Sequence, residues 1–591
     1  MLGTDATRSR VAMGLFGALA GLGLWTLVDM IEPETPGGRG LLALTAFAAA
    51  TAAGTLALSG PLRLGPALAR TALLAAVGAG LLTLASMRFG TPGEMLRALH
   101  PLSAWAAMLF LALPFLAAQA GARGGWRDYR LLFSGAWAIV IRFAAAGLFV
   151  AVFWAVYFLS HALLGLVGVE LLAELADEGW AVFGLSGLVL GISIAALNDA
   201  AEGMAPGIVL RLLRLLLPAL AAVVAVFLLL IPLRGLDALS AGFSVSGTLL
   251  VIAIAAITLI SAAADESDAQ AARAPLLRRS AQGLALLVPV LAALGAWQIG
   301  LRVAQHGLTP PRLAAFTVSG IALVYGLGYA AAVLGGAGWM ARIRRINTAL
   351  ALVLIAVCAL WLSPALNAER LAAADQLRRL ADGRSAPERL DLWTLAHDLG
   401  NPGRAALARL RAQAEAPGQE ALAARLAQLD AAPDRWSFEY GAQPGEQRAV
   451  LLARIAERIE VLPAGAAAGP ERALALFADL AESELQDIDR GCETFLADGT
   501  RGCVLLFTGT LEGWQGPEAL VVYARWQDHA AALFLHPGGS RYRGGVIDLA
   551  GRLQSLSADT ALGALRAGRY SVGAPRQPAL FFEGTEIVPL P

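Results

Sequence analysis

The sequence contains no lysine, and charge of either sign is scarce. All 45 cationic residues are arginine, they equal the 45 aspartates and glutamates in number, and charged residues make up only 15% of the 591 residues. Soluble proteins average about 25% charged and about 45–50% apolar residues, whereas this chain is 57% hydrophobic. This composition excludes an intrinsically disordered chain. Zero net charge gives no electrostatic basis for binding nucleic acid.

The common short motifs of enzymes are also absent. The sequence has no HExxH, GxSxG, Walker loop or CxxC motif, so it predicts neither a metal site nor a cofactor. These absences favour a protein without catalytic activity, although an enzyme with an unfamiliar site is not excluded.

Long hydrophobic runs dominate the first 366 residues. A helix needs about 20 apolar residues to cross the hydrocarbon core of a bilayer, and we identify eleven such runs. They cover residues 11–30, 41–58, 69–87, 101–119, 131–159, 180–198, 213–233, 243–263, 283–302, 313–335 and 346–364. Only helices or closed barrels satisfy the backbone in lipid, and no run alternates as barrel strands do. The sequence therefore predicts a polytopic helical membrane bundle over residues 1–366.

Two of these runs leave the number of crossings open. The first begins after Arg8 and Arg10, so it resembles a signal peptide, but its apolar stretch is long enough for an uncleaved helix, which we prefer. The stretch 131–169 is long enough for one long helix or two short ones. A second crossing there would reverse the orientation of everything that follows.

The arginines predict the orientation of the bundle. With the N-terminus in the cytoplasm and eleven crossings, fifteen arginines fall at cytoplasmic helix ends and six at outer ends. The fifteen are Arg8, Arg10, Arg63, Arg70, Arg123, Arg127, Arg130, Arg211, Arg214, Arg273, Arg278, Arg279, Arg342, Arg344 and Arg345. This bias follows the positive-inside rule. With an odd number of crossings, it predicts that the C-terminal region lies on the far side of the membrane, which in a bacterium is the periplasm.

The remaining residues predict a soluble α+β domain. Residues 367–490 have a helical pattern, and residues 491–591 contain short β-branched and aromatic runs typical of strands. Cys492 and Cys503 lie eleven residues apart on either side of a hairpin-like segment. They would form a disulfide in an oxidising compartment and remain thiols in the cytosol.

Several stretches of the bundle are similar to a known family. They are Arg130-Leu-Leu-Phe with Trp137 and Trp154, Leu233-Arg-Gly-Leu236, and Arg302-Val-Ala-Gln-His-Gly-Leu-Thr-Pro-Pro-Arg312. Together they resemble bacterial multi-pass membrane proteins that share a domain of unknown function, number 4153, over residues of roughly 120–345. The resemblance implies an inner-membrane location and several spans. It implies no activity, cofactor or catalytic residue.

The stretch 302–312 has two interpretations. Gly307 is typical of a residue that ends a helix, and Thr309 and Pro310 are typical of a helix start, so the segment predicts a well-formed turn between two membrane helices. Alternatively, Arg302, His306, Thr309 and Arg312 form a site for an anion or a lipid phosphate, because cations gather there beside a helix N-terminus.

Arg142 lies well inside the fifth hydrophobic run. A charge within the membrane is costly and suggests a functional site, but a structural ion pair explains it equally well. Asp199 and Glu202 are the acidic candidates for its partner.

These features favour a non-enzymatic protein, either permease-like or an envelope scaffold with a periplasmic interaction domain. We expect its partners to be membrane lipids and a periplasmic protein. The alternative is a membrane enzyme that acts on a lipid-linked or phosphate-bearing envelope substrate.

Overall fold

The protein is described from a computed structural model. It describes residues 2–31, 38–119, 125–166, 171–200, 207–234, 245–440, 444–463, 476–477, 480–496, 498–509, 518–525, 529–535, 541–544, 557–569, 580–582 and 585–587.

The helices follow one another closely along the chain. Those up to residue 362 are α1 (Leu2–Asp29), α2 (Arg39–Leu58), α3 (Leu64–Ser86), α4 (Pro92–Ala98), α5 (His100–Ala118), α6 (Tyr129–Gly165), α7 (Leu171–Asp177), α8 (Gly179–Ala200), α9 (Gly207–Leu215), α10 (Leu217–Arg234), α11 (Val245–Ala264), α12 (Pro275–His306), α13 (Pro310–Leu334) and α14 (Trp339–Leu362). The later helices are α15 (Ala368–Ala381), α16 (Leu392–His397), α17 (Gly400–Ala414), α18 (Glu420–Ala431), α19 (Arg435–Tyr440), α20 (Pro444–Arg458), α21 (Glu482–Glu493) and α22 (Ala558–Arg566).

Eleven helical segments of the described chain are long and apolar enough to cross a membrane. Each coincides with one of the eleven predicted runs, so the predicted class, a helical membrane bundle followed by an α+β region, is confirmed. The stretch that left one or two crossings open contains a single continuous helix, α6, of 37 residues. At a rise of 1.5 Å per residue it is about 55 Å long, well beyond the thickness of a hydrocarbon core.

The chain forms two compact units, residues 1–427 and residues 428–591. The first unit therefore extends past the last apolar helix and includes α15, α16 and α17. The predicted boundary at residue 366 marks the end of the apolar helices.

Glycines allow helices α1 and α8 to pack with their backbones in contact. A β-carbon at Gly17 would overlap the carbonyl oxygen of Gly187, and one at Gly191 would overlap that of Met13. Gly21 meets the carbonyl of Phe183 in the same way. Spacings of four residues place these glycines on one face of each helix, as in other closely packed membrane helices.

Alanines have the same role around helix α11. Ala253, Ala256 and Ala263 are fully buried, and α11 contacts α9, α10, α12, α13 and α14. Small side chains let several helices approach one central helix, since lipid provides no hydrophobic drive for helices to associate. This core fixes the positions of the polar groups at the ends of α11.

The second unit is built on a five-stranded sheet. The strands are β1 (Glu460–Leu462), β2 (Cys503–Gly509), β3 (Glu518–Arg525), β4 (His529–Leu535) and β5 (Arg541–Gly544), in that spatial order, and a separate pair is formed by β6 (Leu580–Phe582) and β7 (Thr585–Ile587). Strands β1 and β2 are parallel and the other neighbours antiparallel.

The two faces of this sheet pack against different helices. Leu505 and Val521 lie in one core with residues of α20 and α21, whereas Val504 and Val522 lie in another with Leu562 of α22. The alternation follows from the two-residue period of a strand. Cys492 of α21 and Cys503 of β2 are joined by a disulfide within the first core.

We expect Gly17→Leu to destabilise the bundle by about 1–3 kcal/mol, the usual cost of overpacking. The leucine would force α1 away from α8, and a lower melting temperature of the detergent-purified protein would show it. Gly23→Leu is the matched control, because a β-carbon at Gly23 has no neighbour within 4 Å. Equal melting temperatures for the two variants would contradict the close packing.

Candidate functional site

Most of the polar side-chain contacts described between the membrane helices gather in two layers, one at each end of the bundle. The outer layer, at the end that carries α15, joins the ends of α3, α12 and α14 to α15 and α17. The inner layer, at the opposite end, joins the ends of α2, α6, α8, α11 and α14. Each long-range polar contact described below joins helix ends that the eleven-crossing topology places on the same side of the membrane.

A buried ion pair is the centre of the outer layer. The Arg88 guanidinium lies 3.2 Å from the Glu369 carboxylate, and the exposed fractions of the two side chains are 5% and 0%. Arg88 also donates to the carbonyl oxygens of Trp361 (2.7 Å) and Ser363 (2.6 Å). One cation thus binds the end of α14 to the first turn of α15, although its partners are more than 270 residues away in sequence.

His100 completes this cluster, and Trp361 fixes its tautomer. The indole N–H of Trp361 donates to Nδ1 of His100 over 3.0 Å. An indole nitrogen only donates, so Nδ1 carries no proton, and the ring proton sits on Nε2. That atom lies 3.2 Å from Oε1 of Glu369, in a bent contact that fails the geometry of a regular hydrogen bond. The imidazole therefore turns its Nε2–H toward the buried carboxylate.

The charge of Glu369 is stabilised by these neighbours. Burial raises the pKa of the carboxyl, but the facing N–H of His100 and the positive charge of Arg88 lower it more, so the pKa of Glu369 lies below its ordinary value of 4.5. Glu369 is consequently an anion at neutral pH.

A second set of contacts attaches α17 to the loop after α3. The side chain of Asn401 donates to the carbonyl oxygen of Met87 over 3.0 Å, and its backbone N–H donates to that of Arg88 over 2.8 Å. Arg404 pairs with Glu94 at 3.0 Å. The Glu94 pKa is lowered: burial raises it, but hydrogen bonds from Arg404 and from the backbone of Gly90 outweigh that effect.

The turn between α12 and α13 is held by α15. Asp375 accepts a hydrogen bond from the backbone N–H of Leu308 at 2.7 Å. Arg379 donates to the carbonyl oxygens of Val303 and Ala304, at the end of α12. Gly307 has a φ of +81°, a left-handed conformation that favours glycine, and it ends α12 as the sequence predicted.

The residues predicted for an anion site lie in this turn. Arg312 donates to the carbonyl oxygens of His306 (3.3 Å) and Gly307 (2.7 Å). The Thr309 hydroxyl caps α13 by accepting from the backbone N–H of Arg312. Arg302 and His306 have exposed side chains. These contacts stabilise the turn itself, and binding of an anion by Arg302, His306, Thr309 and Arg312 stays a prediction.

Arg142 belongs to the inner layer. Its side chain runs back along α6, with Nε donating to Ala138 at 2.9 Å, and a terminal nitrogen donates to Asn198 at 2.7 Å. Asn198 in turn donates to Ser59 at 3.2 Å, and a β-carbon at Gly60 would overlap the guanidinium. Since Ser59 and Gly60 form the turn after α2, Arg142 reaches the membrane boundary although it lies 13 residues inside α6.

The acidic candidates for the Arg142 partner are placed differently. Asp199 pairs with Arg10 of α1 at 2.9 Å, and Glu202 lies outside the described residues. Asn198, which directly precedes Asp199, contacts Arg142, because adjacent residues of a helix point about 100° apart. Asn198 and Gly60 are uncharged, so the sequence did not identify them as neighbours of Arg142.

A neutral hydrogen-bond network connects four helices in the same layer. Asn347 of α14 donates to Tyr129 of α6 at 3.1 Å and to Ser261 of α11 at 3.0 Å. Tyr329 of α13 donates to Asn347 and contacts Ser261 at 2.9 Å. Nothing in the sequence indicated this network, because its members are at least 18 residues apart and belong to no motif.

The loop after α11 contains the most buried ion pair of the inner layer. Asp265 pairs with Arg214 of α9, and the exposed fractions of the side chains are 8% and 9%. The remaining nitrogens of Arg214 donate to the carbonyl oxygens of Ala262 and Gln270. Arg344 pairs with Asp268 at 2.7 Å. Within the described residues, no group of three or more histidine, cysteine or acidic side chains is placed to hold a metal ion.

Comparison with known proteins places most of this unit in one family. The family model described as a domain of unknown function, DUF4153, matches residues 40–410, which extends beyond the predicted resemblance in both directions and includes α15 and most of α17. No curated protein and no solved structure matches the chain. The chain is thus a multi-pass membrane protein whose matched region contains both polar layers.

We expect Glu369→Gln to weaken the attachment of α15 by about 3–5 kcal/mol, because it leaves the Arg88 charge buried without a counter-ion. Hydrogen exchange of the α15 amides in the purified protein would accelerate correspondingly. Asp382→Asn is the matched control: Asp382 pairs with Arg384, but both side chains are more than half exposed, so its removal should change stability by less than about 0.5 kcal/mol. Similar acceleration in both variants would contradict a special role for the buried pair.

The same pair predicts a loss of stability in acid. Because the folded-state pKa of Glu369 is lowered, its contribution is fully present above pH 4.5 and disappears as the pH falls through the folded value. The melting temperature of the wild type should therefore fall in this range more steeply than that of Glu369→Gln. Parallel curves between pH 7 and pH 3 would contradict the assignment.

Proposed function

The chain belongs to the DUF4153 family, and we propose that it is a non-enzymatic scaffold of the bacterial cytoplasmic membrane. In this proposal the N-terminus is cytoplasmic, and the C-terminal unit is held in the periplasm for contact with another envelope protein. The observation that carries it is the buried Arg88–Glu369 pair, which joins a helix outside the membrane to the ends of the membrane helices.

The contacts of the outer layer are those expected of helices that are held in a fixed position. Helices α15 and α17 are attached by a buried ion pair, by backbone-directed hydrogen bonds of Asn401 and Arg379, and by the Arg404–Glu94 pair. Buried charge pairs are costly to assemble, and where they are retained they can favour one specific arrangement. Such an arrangement suits a membrane protein that holds α15 and α17 in a fixed position at this end of the bundle.

The distribution of arginines and cysteines supports the proposed orientation. Fifteen arginines lie at one set of helix ends and six at the other, which favours the richer side as cytoplasmic. The disulfide between Cys492 and Cys503 suits the periplasm, because the cytoplasm keeps thiols reduced. The two arguments are independent, and they favour the same side for the C-terminal unit.

A scaffold is favoured over a permease by the position of the polar groups. Transport sites usually lie near the middle of the membrane, on broken helices. In the described part of the bundle, Arg142 and the network of Asn347 lie at the inner helix ends, and the cavity between α2, α3, α5 and α6 is lined largely by alanine and large apolar side chains.

Complementation of a deletion strain would test the proposal against the enzymatic alternative. A scaffold should lose its function when residues 428–591 are removed. It should retain that function in the single variants Arg302→Ala, His306→Ala and Arg312→Ala, provided that membrane abundance is normal. Envelope integrity, measured as sensitivity to detergent, is the readout. An abundant single variant that fails to complement, together with a truncated chain that does, would favour an enzyme acting on a phosphate-bearing substrate.

A further inference from the structure

A polar cavity of about 510 Å³ lies at the inner end of the bundle. It is formed where α9, the loop 265–274 and the start of α12 meet, and its lining includes Arg211, Arg214, Asp265 and Arg273. It is separate from the outer layer and from the predicted anion residues in the turn between α12 and α13.

The cavity carries an excess of positive charge. Asp265 is the acidic residue of its lining, and the ion pair with Arg214 already engages it. The buried Arg214 also donates to two carbonyl oxygens, so it supports the wall. Arg211 and Arg273 have exposed side chains, and among the described lining residues no further carboxylate balances their charge.

An apolar helix face lies beside this charge. On α9, Ile208, Leu212 and Leu215 are 59%, 60% and 65% exposed, and their spacing places them on one face of the helix, next to Arg211. Helix α9 forms the first part of an apolar segment that can cross the membrane. An exposed leucine face in that segment contacts lipid chains, and a cationic cavity directly beside it lies at the level of the headgroups.

We propose that this cavity binds the phosphate of an anionic phospholipid. Arg211 and Arg273 bind the headgroup, and the acyl chains lie along the exposed face of α9. Cationic pockets between membrane helices at the cytoplasmic surface suit acidic headgroups. The inference rests on the proposed orientation, which puts this end of the bundle at the cytoplasmic surface, and it does not require the protein to be a scaffold.

Binding to the detergent-purified full chain, measured by native mass spectrometry, tests the proposal. The probes are phosphatidylglycerol, phosphatidylcholine with the same chains, and inorganic phosphate. Phosphatidylglycerol should bind more tightly than phosphatidylcholine. In Arg211→Ala/Arg273→Ala its affinity should fall about 25-fold, since each arginine near the surface contributes about fivefold.

The matched control is Arg278→Ala/Arg279→Ala, which removes the same charge from neighbouring exposed positions outside the cavity lining. It should weaken binding less than threefold, and both double variants should melt like the wild type. Equal losses in the two variants would overturn the site in favour of general surface charge. Equal affinity for the two lipids would overturn headgroup recognition. Binding of inorganic phosphate with the same sensitivity to Arg211 and Arg273 would replace the lipid by a soluble anion.

Discussion

The hydrocarbon core of a membrane does not accommodate unpaired polar groups, and this constraint determines where the polar side chains of the protein lie. Because a span of this hydrophobic pattern can satisfy its backbone only as a helix, most of the described residues up to 362 lie in long apolar helices. Their polar side chains collect at the two ends, where partners from other helices meet them. The middle of the bundle packs instead through glycine and alanine, as between α1 and α8 and around α11.

The two layers have different chemistry and suit different partners. In the outer layer, charges are paired and buried, and they join the bundle to α15 and α17, so this end is suited to holding protein. In the inner layer, a neutral network and one buried ion pair fix the helix ends, and arginines on the surface keep an excess of positive charge. That end is suited to anionic headgroups. The proposed scaffold binds lipid headgroups at one end and carries a domain at the other, so it would use both layers.

The sequence predicted what depends on local pattern. The eleven spans, the strands after Cys503 and the turn at Gly307 follow from hydrophobic length, from short β-branched and aromatic runs and from glycine conformation, and these are properties of neighbouring residues. The pairing of Arg88 with Glu369 has no such signal, because the two residues are 281 positions apart. The same holds for Asn347 with Tyr129. The sequence also misplaced Arg142, which it put well inside the membrane. Because α6 is longer than a membrane is thick, the distance of a residue from the start of this helix does not measure its depth in the membrane.

The central claim is that eleven crossings place the outer layer and the C-terminal unit on the periplasmic side. Paired reporters fused after Pro591 test it most directly, with fusions after Arg273, in the loop of the inner layer, as the internal reference. The account predicts that alkaline phosphatase fused after Pro591 is active and that green fluorescent protein fused there does not fluoresce. After Arg273, the phosphatase should be inactive and the green fluorescent protein should fluoresce. A fluorescent protein that glows after Pro591, with inactive phosphatase there, would contradict it.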